Sequence, residues 1–166
     1  SNGSQRFWSH KLTVMLAIDC SASTYFTSAE RRKAEIARDV AAVLAMSAIQ
    51  NNDKVGLILF TDEVEKFIPP RKGRSRALYL IHELFSFKAE RPGTNVGKAI
   101  EFLHRTTHCR SVSFIISDFR TTDYERPLRL VHKRHDLIPI SIDDPREMNL
   151  PSVGLLTVRD LETGEH

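Results

Sequence analysis

Asp19, Ser21 and Ser23 stand at alternate positions in the segment IDCSAS and offer one carboxylate and two hydroxyls from a single turn. All are hard oxygen donors, the kind that Mg²⁺ or Mn²⁺ selects. Two later segments carry the same chemistry: Thr94 in RPGTN, and Asp118 at the end of VSFIISD. Each also has an ordinary role. Asp and Ser after a strand serve as turn and capping residues, and Thr94 stands where it could cap the helix that follows. Three separate oxygen-bearing loops make a cation site a stronger reading than any one of them would.

Such a site needs a scaffold that brings distant segments to one edge. The apolar run that leads into Asp19, and the later runs 54–60 (KVGLILF) and 111–117, have the length and continuity of strands buried on both faces. Between them, Thr27 and Glu30 form a T-x-x-E capping box. It predicts a helix to about residue 50, with Ile36, Val40, Val43, Leu44 and Ser47 at helical spacing and Ala37, Ala41, Ala45 and Ala48 lying close to the sheet. Residues 64–68 read as a short strand stopped by Pro69 and Pro70, antiparallel to its predecessor because the connection is short. Asp62 and Glu63 in that connection read as turn formers on an edge away from the site. Residues 77–87 predict a helix with Leu78, Ile81, His82 and Phe85 on one stripe, and 96–107 and 124–134 predict two more. Further strands are expected at 137–142 and 155–158. Strand and helix alternate, so the expected class is α/β: a doubly wound, mostly parallel sheet with one antiparallel edge strand and helices on both faces. Right-handed crossovers then place Asp19, Thr94 and Asp118 on one edge.

The composition agrees with a folded domain: of 166 residues, 41% are hydrophobic and 27% charged. No run approaches the roughly 20 apolar residues of a membrane helix. Cys20 and Cys109 have no spacing that suggests a disulfide framework or a zinc site, which fits a reducing, cytoplasmic setting. The net charge of +3 includes basic clusters at Arg31-Arg32-Lys33 and at Arg71, Lys72, Arg74 and Arg76. Acids are spread among them, so a solvated surface is expected and no nucleic-acid partner. Residues 1–10 read as a leader or expression scar in extended conformation, and 11–166 as a domain excised from a longer parent whose other segments could tether it to a membrane.

The order D-x-S-x-S, loop threonine, strand-end aspartate resembles the metal-ion-dependent adhesion site of von Willebrand factor type A domains. The chain is similar, more narrowly, to the bacterial domain-of-unknown-function 58 family through DKVGLILFTDEVEKFIPPRKGRSR, SFIISDF, RHDLIPISIDDPREMNLP and DLETGE. Thr24 stands where the family pattern has methionine, and Asn95 where it has aspartate. The resemblance implies a Rossmann-like fold and a cation held by Asp19, Ser21, Ser23, Thr94 and Asp118. Ser21 and Ser23 would bind directly, Thr94 directly or through water, and Asp118 mostly through water. One coordination position would be left for an aspartate or glutamate of a partner protein. It also implies a MoxR-type AAA+ ATPase as that partner, and no catalysis. The competing expectation is a haloacid-dehalogenase-type phosphohydrolase with Asp19 as nucleophile, assisted by Ser117, Lys133, Asp143 and Asp144. Its weakness is Ser21, which stands where that chemistry needs an acid to protonate the leaving group.

Overall fold

The computed structural model describes residues 12–21, 27–107, 111–120, 124–132, 136–142 and 156–157. The first strand, β1 (Thr13–Asp19), is buried along six of its seven residues, as its apolar run requires. It pairs in parallel with β2 (Lys54–Phe60) on one side and β4 (Ser111–Ser117) on the other. Outside these lie β3 (Val64–Arg71), antiparallel to β2, and β5 (Asp136–Ser141) and β6 (Leu156–Thr157), both parallel. The six-stranded order is β3-β2-β1-β4-β5-β6. The chain therefore winds outward in both directions from β1 and β4, and the crevice beyond their carboxyl ends is where such sheets bind ligands.

Alternation along β1 divides the core between the two faces. Val14, Leu16 and Ile18 point to one side, where they meet helices α1 (Ser28–Gln50) and α2 (Arg74–Ser86). Met15 and Ala17 point to the other, against α3 (Val96–Thr106) and the region of α4 (Glu125–His132). Complete burial of a side chain such as Leu16 contributes about 1.5–3 kcal/mol, so this strand anchors both layers. No helix among the described residues is long and apolar enough to cross a membrane.

α1 starts at the expected capping box. The Thr27 hydroxyl accepts from the Glu30 N–H at 3.1 Å, while the Glu30 carboxylate accepts from the Thr27 N–H at 3.0 Å. Its sheet-facing stripe is Ala37, Ala41, Ala45 and Ala48, small enough to bring the helix close. Val43, expected among the apolar positions, is 69% exposed because it lies on the opposite side of that alanine stripe.

The sequence expectation fails in three local places. β3 does not stop before Pro69 but runs through Pro70 to Arg71. The register moves from Leu57↔Ile68 to Val55↔Arg71, so three steps on β3 match two on β2, and the prolines sit in a bulge on an edge strand. α2 begins at Arg74 rather than Ala77, after Gly73 in a left-handed conformation (φ 107°). Its buried positions are Ala77, Leu80 and Leu84, while Leu78 and Phe85 are about half exposed and His82 is exposed. The helix presents the neighbouring stripe to the sheet.

Candidate functional site

The carboxyl end of β1 delivers Asp19 into a cleft of about 260 Å³ lined also by Ser21, Glu30, Lys33, Ser117 and Asp118. Asp19 collects hydrogen bonds from three segments. Its Oδ1 accepts from the Ser21 N–H at 3.0 Å and the Thr94 hydroxyl at 3.3 Å, and its Oδ2 accepts from the Ser117 hydroxyl at 2.8 Å. Burial raises the Asp19 carboxyl above its ordinary pKa; the hydrogen bonds from Ser21 and Ser117 oppose the rise and the neighbouring Asp118 charge adds to it. The carboxylate is thus drawn out of water beside a second negative charge, an arrangement that a cation relieves.

Thr94 reaches Asp19 across 75 positions of sequence because its loop is held at several points. The Asn95 N–H donates to the Thr61 carbonyl at 2.8 Å. Arg91 binds Asp62 through two hydrogen bonds, the longer 3.1 Å, and this pairing holds the Asp62 carboxyl below its usual range. Glu65 accepts from the N–H groups of Glu90 at 2.8 Å and Arg91 at 3.3 Å, and from the Thr61 hydroxyl. The β2–β3 connection is therefore not an edge away from the site. β2 is parallel to β1, with Phe60 opposite Asp19, so Thr61 and Asp62 leave the sheet at the same end and support the Thr94 loop.

Nor does Thr94 cap α3. Asn95 does, its side chain accepting from the Lys98 N–H at 3.0 Å. One residue therefore caps the helix while the other turns its hydroxyl to Asp19, which removes the competition for a single oxygen. Asn95, unexpected by the family pattern, keeps the cap that an aspartate would supply.

Asp118 follows β4 and turns with its own loop. Its Oδ1 accepts from the Arg120 N–H at 3.3 Å, and its Oδ2 lies 3.4 Å from Arg120 Nε and 4.0 Å from Lys33 Nζ. Phe119 adopts φ 52°, a conformation uncommon for a bulky residue, and its ring is buried edge-on against Tyr124 at 5.2 Å. Its N–H donates to the Ser117 hydroxyl at 3.1 Å. This fixes Ser117 between the turn and Asp19.

The residues expected to hold a cation thus divide as follows. Asp19, Ser21 and Asp118 line one cleft, and Thr94 reaches it through its bond to Asp19. Ser23 lies outside the described residues, as do Lys133, Asp143 and Asp144 of the competing expectation. Ser117, Lys33 and Glu65, like the Arg91–Asp62 pair and the Thr61–Asn95 bond, contribute to this arrangement without a place in the expected ligand set. Only Ser117 had a local signal, as a strand-end hydroxyl next to Asp118. Among the described residues no group of three or more His, Cys, Asp or Glu side chains could hold a metal ion. A cation here would rest on carboxylate and hydroxyl oxygens together, a donor set fitted to a hard ion. Cys20 offers no alternative chemistry, because burial and then the Asp19 charge push its thiol up to about 12 and keep it protonated.

The Glu65 clamp yields an expected result. In Glu65→Ala the two loop N–H groups are expected to lose their acceptor and the Thr94 hydroxyl its fixed position, so that any affinity of the cleft for a cation should fall about tenfold, the scale of outer support around metal ligands. Calorimetric titration with Mn²⁺ measures it; an unchanged affinity would show that the clamp does not position Thr94.

The architecture and the placement of the cleft define a doubly wound α/β domain with its candidate site at the carboxyl edge of the sheet. Residues 4–166 match the family described as protein of unknown function DUF58, and the chain belongs to that family. An uncharacterised protein of Mycobacterium tuberculosis is 29% identical over 157 residues, 93% of this chain and 50% of that protein. The chain thus spans about half the length of that relative. A Mycobacterium avium protein, also uncharacterised, is 32% identical over 100 residues, covering 58% of this chain and 59% of its own length. Among solved structures, the conserved hypothetical protein BatB of Bacteroides thetaiotaomicron superposes with a TM-score of 0.63 at 19% identity, covering 86% of this chain and 73% of BatB. An aerotolerance-related membrane protein of Bacteroides fragilis gives a TM-score of 0.60 at 17% identity, covering 86% and 78%. These structural likenesses bear on the fold alone.

Proposed function

We propose that this domain is a divalent-cation-dependent protein-interaction module of the von Willebrand type A kind, which captures an aspartate or glutamate of a partner protein and makes or breaks no bond. The observation that supports it is the meeting of the Thr94 and Ser117 hydroxyls on the Asp19 carboxylate, each donating to a different oxygen, beside Ser21 and Asp118 in one cleft. Asp19 would supply the central carboxylate. Ser21, Thr94 and, from the sequence pattern, Ser23 would supply hydroxyl oxygens, and Asp118 a second charge. Mg²⁺ or Mn²⁺ held there would act as the Lewis acid to which the partner's carboxylate binds. The chain's own part is to hold these oxygens in place, with the half-buried Asp19 carboxylate partly withdrawn from water.

The partner we propose, from the sequence resemblance, is a MoxR-type AAA+ ATPase, met on the cytoplasmic side. Capture of purified ATPase on immobilised domain tests the partner and the metal dependence together. Binding in Mg²⁺ and release by chelator is the expected result, and equal retention in both buffers would rule out a metal-bridged contact.

A further inference from the structure

Lys33 stands on α1, facing the candidate site, and its charge is held inward: the side chain is only 11% exposed. Its ammonium lies 4.0 Å from the Asp118 carboxylate, whose other flank is taken by Arg120 at 3.4 Å. A cleft built only to attract a cation would gain nothing from a sequestered ammonium, since like charges in a partly desolvated space repel. Among the described residues that line the cleft, Asp19, Asp118 and Glu30 are negative and Lys33 is positive, while Arg120 meets Asp118 without lining the cleft. A divalent ion bound there would share the cleft with the Lys33 ammonium, and an incoming carboxylate would be attracted by both.

We propose that Lys33 makes cation and acidic partner bind cooperatively, by opposing the cation when it is alone and pairing with the partner's carboxylate once it arrives. This rests on the cation-dependent reading above and adds to it a specificity-determining residue that touches the partner. The partner group is an anionic oxygen acid rather than a neutral amide or hydroxyl, because only a negative charge satisfies both the ion and the ammonium. By linkage, whatever factor the carboxylate adds to cation affinity, the cation adds to carboxylate affinity.

The test titrates Mn²⁺ into the protein with and without acetate, in the parent chain and in Lys33→Met, Lys33→Gln and Lys33→Arg, with thermal unfolding in chelator reporting that each variant is folded. In the parent chain acetate is expected to tighten Mn²⁺ binding about tenfold, within the usual range of coupling between sites. In Lys33→Met and Lys33→Gln, Mn²⁺ alone should bind several-fold more tightly and the acetate effect should fall below about twofold, while Lys33→Arg keeps it. Mn²⁺ binding with the same acetate effect in all four proteins would overturn the role of Lys33 and leave the cation site standing. Failure of Mn²⁺ to bind any of them would overturn the cation site itself, and this inference with it.

Discussion

Asp19→Ala is expected to reduce Mn²⁺ or Mg²⁺ affinity by more than about 100-fold, beyond the 10- to 100-fold that loss of an outer support costs. Among the described residues, the Asp19 carboxylate is the group to which Thr94, Ser117 and the Ser21 N–H are all hydrogen-bonded. Without it the hydroxyls have no shared acceptor to order them, and the cleft keeps Asp118 already faced by Lys33 and Arg120. Calorimetric titration of the folded variant measures this. A loss of less than about tenfold would mean that the ion, if bound, sits elsewhere. Partner capture should fall in parallel, because the same ion would carry the contact.

The largest expected effect on stability lies at Gly56, in the middle of β2. A Cβ there would stand 2.7 Å from Met15 Sδ, 2.8 Å from the Ile68 carbonyl oxygen and 2.9 Å from the Pro70 nitrogen. The thioether can swing aside, but the other two atoms are β3 backbone at the bulge and cannot move without loosening the edge strand. Gly56→Ala should therefore destabilise the domain by roughly 3 kcal/mol, the upper part of the overpacking range, and lower Tm by about 10 °C for a chain of this size. Gly73 provides the contrast. Among the described residues no atom beyond its chain neighbours lies within 4 Å of its would-be Cβ, so Gly73→Ala meets only the strain of φ 107°, costing about 1–2 kcal/mol. Equal melting temperatures for the two variants would refute the account of β2 and β3 packing.

What could be read from the sequence follows from where each signal is encoded. β2 has the bounds its apolar run gives, because a strand buried on both faces must be continuously apolar, and β4 has the expected bounds although Ser111, Ser113 and Ser117 interrupt its apolar residues. Thr27 and Glu30 reveal the start of α1 for a similar reason: both halves of the cap lie within one turn. α2 buries the stripe one residue round its axis from the expected one, since Ala77, Leu80 and Leu84 make as good a stripe as Leu78, Ile81 and Phe85 until the sheet decides between them. Pro69 and Pro70 forbid a central strand but not a bulged edge, and edge position is a property of the assembled sheet.

The site divides in the same way. Asp19, Ser21, Thr94 and Asp118 carry their donor chemistry in their own types and follow strand ends or a Pro-Gly break, so they could be singled out one segment at a time. The groups that position them could not. Glu65 acts on a loop 25 and 26 residues away, and Lys33 meets Asp118 only after α1 has packed beside β4. Asp62 lies at the site's edge and not on the expected one because its position depends on β2 running parallel to β1, a pairing that no local pattern states.

The central claim is that separate segments hold one divalent ion at the head of β1. Crystals grown in Mn²⁺ and measured for anomalous scattering test it most directly. The account requires a peak among the Asp19 carboxylate, the Ser21 and Thr94 hydroxyls and Asp118, lost in Asp19→Ala. A cleft without that peak at saturating Mn²⁺, or a peak coordinated by other residues, would contradict it.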